Sequence, residues 1–385
     1  MPARRIRVLI VDDSAVVRKV LTESLANEPE IEVVGTAVDP YVARDKIIQL
    51  NPDVLTLDIE MPRMDGLSFL RLIMRQRPMP VIIISSLTTA GSSKALEALH
   101  IGAVDVMAKP GGSYSANSDG TELAAKIKAA FHAKITARAT DTAIMVRANL
   151  PPAPPPQSPR PGPAPRVVAP FAAAGPKTPV GPARQFSNKQ IILMGASTGG
   201  TEALKLVLTN LSNTLPGICI VQHIPALFSK AFADRLNQLC ALEVREAKHG
   251  DKVQPGLALI APGGFHMVLR RTGAAYVVEL SEGPPVHHQR PAVDVLFDSA
   301  VRAGAGQNAL ALLLTGMGAD GAAGMLKLKE VGATTVAQNE ESCVVFGMPR
   351  EAIRLGAAQK VLPLSQMAPF IERYASEVTT TGVGI

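Results

Sequence analysis

Short apolar runs alternate with stretches of helical period through the first part of the chain. The runs Val8–Val11, Glu32–Gly35, Val54–Leu57, Val81–Ser85 and Val104–Met107 predict five strands separated by helices. Such βα repeats put helices on both faces of a parallel sheet, and strands buried on both faces read as continuous apolar segments. The alternation stops between Pro151 and Pro182, where thirteen of 32 residues are proline. Without N–H groups to donate, that stretch predicts an extended connector rather than a helix or a ladder. The alternation then returns, with strands predicted at Ile191–Met194, Ile218–Gln222, Ala309–Leu314 and Thr334–Ala337. Between Glu243 and Leu280, Gly and Pro punctuation around short β runs predicts hairpins. The fold class is α/β with two domains: a (βα)5 domain at residues 1–140, a Pro-rich basic linker at 141–187, and at 188–385 a doubly wound, mainly parallel α/β sheet with an antiparallel insert.

A length of 385 residues suggests two to three domains at about 150 each. The formal charge of +6 invites a nucleic-acid reading. Position removes it: Arg147, Arg160, Arg166, Lys177, Arg184 and Lys189 fall in a stretch without acids, and setting them aside leaves 33 basic against 33 acidic residues. Aromatic content is 4% with no Trp, too little for a base-stacking platform, so no nucleic-acid partner is expected. The longest apolar runs are far shorter than the roughly 18 residues that span a bilayer, and the N-terminus lacks a signal-like apolar core. The expectation is a cytoplasmic protein with no membrane insertion. Cys219, Cys240 and Cys343 lack CxxC spacing and are expected to be reduced and buried.

Parallel α/β sheets place their sites beyond the carboxyl ends of the strands. In the first domain Asp12 and Asp13 follow the first strand, Asp58 ends the third, Ser85 ends the fourth and Lys109 follows the fifth. Three converging carboxylates repel one another unless a hard cation sits among them, and Mg²⁺ favours such an oxygen-rich site. Lys109 and Ser85 could then meet the oxygens of an incoming phosphoryl group, with Asp58 as its acceptor.

In the second domain the first strand runs into Gly195-Ala196-Ser197-Thr198-Gly199-Gly200 and a helical pattern, Thr201–Asn210. This fits the GxSxG frame, which leaves a serine exposed at a sharp strand-to-helix turn. A serine hydroxyl needs a base, and His223 ends the next strand; the base needs an acid, and Asp320 follows the strand ending at Leu314. Asp294 and Asp298, in the helical pattern Val293–Ala300, compete for that role. The chain order Ser, His, Asp differs from the Ser, Asp, His of α/β-hydrolases, so that fold is not implied. His249, His266, His287 and His288 read as solvated or locally bonded loop histidines; metal binding by the last two needs ligands the sequence does not show.

Two sets of motifs resemble known families. Val11-Asp12-Asp13-Ser14, Leu57–Gly66 and Ala108-Lys109-Pro110 are similar to response-regulator receiver domains. That resemblance implies phosphorylation of Asp58 by a histidine kinase, with Mg²⁺ held by Asp13, Asp58 and the backbone carbonyl of Glu60, and Asp12 acting through water. Where many receivers carry an aromatic switch in the fifth strand, this chain has Val106. The serine turn, Gln222-His223-Ile224-Pro225, Ala261–Gly264, Arg290–Phe297, Leu314–Ala322 and Phe346–Ala352 together resemble the CheB family. The resemblance implies a chemotaxis methylesterase that hydrolyses glutamate γ-methyl esters on methyl-accepting chemoreceptors and deamidates receptor glutamines, with no cofactor for the esterase step. It implies Ser197 as nucleophile, His223 as base, Asp320 as its orienting acid, and Thr198 and the Met317 amide at the oxyanion and substrate. Phe265 departs from the polar residue expected there. The competing classes are a signalling adaptor without catalysis, opposed by the intact Ser197, His223 and Asp320 set, and a DNA-binding regulator, opposed by the lack of a basic recognition helix.

Overall fold

The computed structural model describes residues 4–86, 88–109, 119–135, 190–273 and 275–381. The predicted linker, 141–187, lies outside them. In the N-terminal domain the strands β1 (Ile6–Val11), β2 (Ile31–Ala37), β3 (Val54–Asp58), β4 (Val81–Ser85) and β5 (Asp105–Ala108) form a parallel sheet ordered β2-β1-β3-β4-β5. Helices α1 (Ala15–Leu25), α2 (Pro40–Leu50), α3 (Gly66–Gln76), α4 (Thr89–Ile101) and α5 (Asp119–Phe131) follow the strands in turn. Their starts are written locally: Ser14, Asp39, Asp65 and Thr88 each accept an N–H of the first turn of α1 to α4. Helix α3 buries Leu67, Phe69, Leu70 and Ile73 on one face, the 3–4 spacing that turns an apolar stripe towards a sheet.

The C-terminal domain is built on a second parallel sheet, ordered β15-β14-β13-β6-β7-β10-β8. Its strands are β6 (Ile191–Ala196), β7 (Gly217–Gln222), β8 (Glu243–Glu246), β10 (Leu257–Ile260), β13 (Ala309–Leu313), β14 (Thr334–Gln338) and β15 (Lys360–Leu362). A separate antiparallel sheet joins β9 (Lys252–Val253) to the hairpin β11 (His266–Thr272) and β12 (Ala275–Ser281). The helices are α6 (Gly200–Leu208), α7 (Phe228–Leu239), α8 (Val293–Arg302), α9 (Ala322–Glu330), α10 (Met348–Arg354) and α11 (Leu364–Thr381).

The hairpins expected between Glu243 and Leu280 are thus only half right. β11 and β12 form one, but β8 and β10 extend the main sheet in parallel. All four residues of β10 are buried between β7 and β8, the mark of a central strand with both faces covered.

Among the described residues, one of three buried apolar clusters spans both domains. Leu96 and Leu99 of α4 join the same buried cluster as Phe232 and Leu236 of α7. Polar contacts accompany it: Lys205 Nζ of α6 lies 3.0 Å from His100 Nδ1 of α4, and the Lys134 N–H donates to the Val344 carbonyl at 3.1 Å. The N-terminal domain therefore sits over the edge of the second sheet where β6 ends.

Candidate active site

Strands β7, β6 and β13 are neighbours running the same way, so the segments leaving their carboxyl ends meet. Ser197 follows β6, His223 follows β7, and Asp320 lies in the loop after β13. His223 Nδ1 is 3.1 Å from Ser197 Oγ, and His223 Nε2 is 2.8 Å from Asp320 Oδ2. The imidazole and the carboxylate are buried, at 7% and 2% exposure, so their interaction is little screened by water. A proton on Nε2 bound to Asp320 leaves Nδ1 free to accept from the serine hydroxyl.

Asp320 has further partners. Its Oδ2 accepts the Val293 N–H at 2.6 Å and its Oδ1 the Asp294 N–H at 2.9 Å, at the start of α8, where Ala292 offers no capping side chain. Asp294 in turn accepts the Gly324 N–H of α9 at 2.7 Å and pairs with His287 at 2.9 Å. Each carboxylate thus caps the helix that begins beside the other. Burial pushes both carboxyls up. At Asp320 the His223 contact and the two helix N–H groups outweigh it, and the carboxyl ends below the ordinary carboxylate value. At Asp294 burial prevails, helped by the Asp320 charge, and the carboxyl is raised. Ligating atoms of His287, Asp294 and Asp320 lie within 4.8 Å of one another, but the carboxylate oxygens are taken up by N–H donors. Of the competing acids, Asp294 is a cap and Asp298 is paired with Lys327 at 2.8 Å. His266, expected in a loop, is a buried strand residue whose ring accepts the Ala292 N–H and faces the Pro284 carbonyl.

The loop carrying Met317 comes close to the serine. Its Gly316 allows this, because a Cβ there would stand 2.7 Å from Ser197 Cβ and strike Met348 Sδ. The Ser197 N–H donates to the Thr315 carbonyl, and the Thr315 hydroxyl donates to the Thr198 carbonyl at 3.0 Å. The Thr198 hydroxyl turns the other way. It donates to Asp105 Oδ2, at the head of β5, with a buried 2.7 Å bond, and Lys126 Nζ holds Asp105 Oδ1 at 3.0 Å. Asp105 was not anticipated from sequence. Its one signal is a charge at the head of an otherwise apolar strand.

A second polar cluster lies at the carboxyl edge of the first sheet. Asp12, Asp13 and Asp58 bring ligand atoms within 4.8 Å of one another. Lys109 Nζ is 2.8 Å from Asp58 Oδ2 and 3.1 Å from Asp12 Oδ2. Among the described residues no well-aligned donor meets either Asp58 oxygen or Asp12 Oδ2, although all three are buried and Lys109 Nζ lies close to two of them. Burial raises the Asp58 carboxyl and the neighbouring Asp12 charge adds to it, against the pull of Lys109. Buried anionic oxygens short of donors fit a hard divalent cation such as Mg²⁺. Ser85 is buried beside this cluster, its hydroxyl 3.4 Å from the Gly91 carbonyl, and its own carbonyl accepts the Lys109 N–H. The Glu60 side chain faces Ser86 and Lys94 instead. Val106 is buried in the core and has no swinging ring to relay a signal.

Three comparisons bear on this pair of sites. The family model for CheB methylesterase matches residues 192–371, and that for the response regulator receiver domain matches 8–114. A protein-glutamate methylesterase/protein-glutamine glutaminase of Syntrophus aciditrophicus is 52% identical over 369 residues, spanning 96% of this chain and 99% of that protein. One of Anaeromyxobacter dehalogenans is 50% identical over 374 residues, spanning 97% and 96%. The solved Thermotoga maritima CheB methylesterase catalytic domain is 38% identical, covering 48% of this chain and 98% of that one with a TM-score of 0.47. The chain belongs to the family of protein-glutamate methylesterases/protein-glutamine glutaminases, in which a response regulator receiver domain precedes a CheB methylesterase domain.

Proposed function

We propose that this chain is a phosphorylation-regulated hydrolase that removes methyl groups from glutamate γ-methyl esters of chemoreceptors and deamidates receptor glutamines, for adaptation in chemotaxis-type signalling. The observation that carries the reading is the His223 imidazole standing 3.1 Å from Ser197 Oγ and 2.8 Å from Asp320 Oδ2. Ser197 Oγ attacks the ester carbonyl as His223 Nδ1 takes its proton, and the main-chain amides of Met317 and Thr198 receive the oxyanion, each such donor supplying about 3 kcal/mol in comparable sites. The C–O bond then breaks, the proton passes from His223 to the leaving methoxide, and methanol departs from an acyl-enzyme. Water, deprotonated by His223, attacks the acyl carbonyl; the proton returns to Ser197 and glutamate is released. With glutamine the leaving group is ammonia. The esterase reaction needs no cofactor on this reading.

The receiver at 1–140, joined by residues 141–187 to the catalytic domain at 188–385, takes a phosphoryl group on Asp58 from a chemotaxis histidine kinase. Asp13, Asp58 and the Glu60 carbonyl would hold Mg²⁺, with Asp12 acting through water; when bound it neutralises the carboxylates and the phosphodonor oxygens. Lys109 and Ser85 bind the transferred group. Burial of Thr198 under Asp105 supports a gate in which the unphosphorylated receiver restricts the serine. No helix among the described residues is long and apolar enough to cross a membrane. The work is assigned to the cytoplasm, where receptor helices and kinase are met. The test is methanol release from radiolabelled methylated receptors, with and without a phosphodonor. Ser197→Ala abolishes release and deamidation while Asp58 remains phosphorylatable; release retained by that variant overturns the assignment.

A further inference from the structure

The side-chain amide of Gln222 touches both residues proposed to exchange the proton. Its Nε2 donates to the Ser197 carbonyl at 2.9 Å and to the His223 carbonyl at 3.0 Å. Gln222 is the last residue of β7, paired across the ladder with Ala196, and is 3% exposed. Ser197 and His223 sit one residue beyond the ends of neighbouring strands, where ladder pairing no longer fixes their spacing. One ladder-like bond continues past the pair, from the His223 N–H to the Ala196 carbonyl at 3.1 Å. Beyond that point the Gln222 amide bridges the two main chains.

The turn is shaped around this amide. A Cβ on Gly200 would collide with Gln222 Oε1 and would also stand 2.7 Å from Ala196 Cβ, so the opening residue of α6 has to be glycine for this turn and this side chain to lie where they do. Among the described residues the buried Oε1 has no hydrogen-bond partner, although an unsatisfied buried acceptor costs about 1–3 kcal/mol. A side chain that served only to fill volume would avoid that cost by being apolar. What distinguishes glutamine here is its pair of N–H donors.

We infer that Gln222 is a positioning residue of the esterase site: its two N–H donors fix the separation of Ser197 Oγ and the His223 imidazole by holding their main chains together. The inference rests on the proposed roles of Ser197 and His223. Displacing reacting groups by about 1 Å can reduce turnover roughly 10²-fold without changing what the substrate touches. The loss therefore falls on kcat and leaves KM in place.

The test compares full-length Gln222→Met, Gln222→Glu and Gly200→Ala proteins with the parent, all phosphodonor-activated, by methanol release from methylated receptor membranes. Methionine has a similar volume and no donor. Glutamate regains one donor only when protonated, and burial raises a carboxyl's affinity for its proton. Its titratable neighbours are His223, the next residue along the chain, and Asp320 across that imidazole. Rates are therefore taken relative to the parent at each pH. The expected result is kcat reduced roughly 10²-fold in Gln222→Met at unchanged KM, a similar loss in Gly200→Ala, and a relative rate in Gln222→Glu that rises as pH falls. Melting temperature and Asp58 phosphorylation report that each protein is folded. Parent-like kcat in folded Gln222→Met, with Ser197→Ala inactive, overturns the clamp and leaves the proposed triad standing. So does a relative rate in Gln222→Glu that is flat with pH. Release that survives in Ser197→Ala overturns both.

Discussion

The hydroxyl of Thr198 donates a buried 2.7 Å hydrogen bond to Asp105 across the domain boundary, one residue beyond Ser197, the proposed nucleophile. Hydrogen bonds to charged groups contribute about 1.5–3 kcal/mol, and a buried acid that loses its partner costs more. Asp105 is also held by Lys126, so the contact is charge-assisted on both sides. Asp105→Ala should loosen docking by an amount worth roughly tenfold in the open population. The expected outcome is faster methanol release without phosphodonor and a smaller gain on adding one. An unchanged ratio of activated to basal rate would show that this bond does not hold the gate.

Removing the receiver altogether should go further. A chain beginning at Asn188 exposes Thr198 and the apolar face of α7 that now meets Leu96 and Leu99. Its turnover should exceed that of the unphosphorylated whole chain and ignore the phosphodonor. Equal or slower turnover sinks the gating model.

Chelation separates the two sites. The donor-poor oxygens of Asp12 and Asp58 call for a cation, whereas the carboxylates around Asp320 are supplied by N–H groups. Excess EDTA should therefore abolish phosphorylation of Asp58 from a small phosphodonor and leave the basal esterase rate unchanged. An EDTA-sensitive basal rate would contradict this division.

Acid should spare the Asp320 charge until late. Its folded carboxyl lies below the ordinary value of 3.8, so the stability it contributes is present above 3.8 and is lost only as pH falls through the lower folded value. Asp320→Asn should lower kcat about 10⁴-fold if it fails to hold the imidazole tautomer. It should also lower the melting temperature through weaker capping of α8, worth about 0.5–2 kcal/mol. Melting curves of parent and variant that diverge towards acid, rather than converge, would refute the linkage.

Much of this was readable in the sequence because the relevant signals are local. Strand ends announce themselves where an apolar run meets Asp12, Asp58 or His223, and a parallel α/β arrangement brings such ends together. The antiparallel insert is legible but its extent is not, because β10, Leu257–Ile260, is too short for periodicity to show which sheet it joins. Helix α11 went unread in part because Pro369 lies inside it, where a proline ordinarily signals a break. Asp105 and Gln222 were beyond reach for another reason. Their importance lies in which distant backbone or hydroxyl they meet, at Thr198 and Ser197, and no spacing along the chain encodes that.

The exchange of caps between α8 and α9 ties the chemistry to the integrity of the fold. Active sites commonly hold groups that a protein would be more stable without. Here Asp320 is seated on a helix end that has no cap of its own. With Ser197 as the proposed nucleophile, a lineage that ceased to need hydrolysis could discard it cheaply, but giving up Asp320 would expose two main-chain donors at once. A descendant reduced to scaffolding would therefore be expected to lose its serine first and keep its aspartate as a relic of architecture.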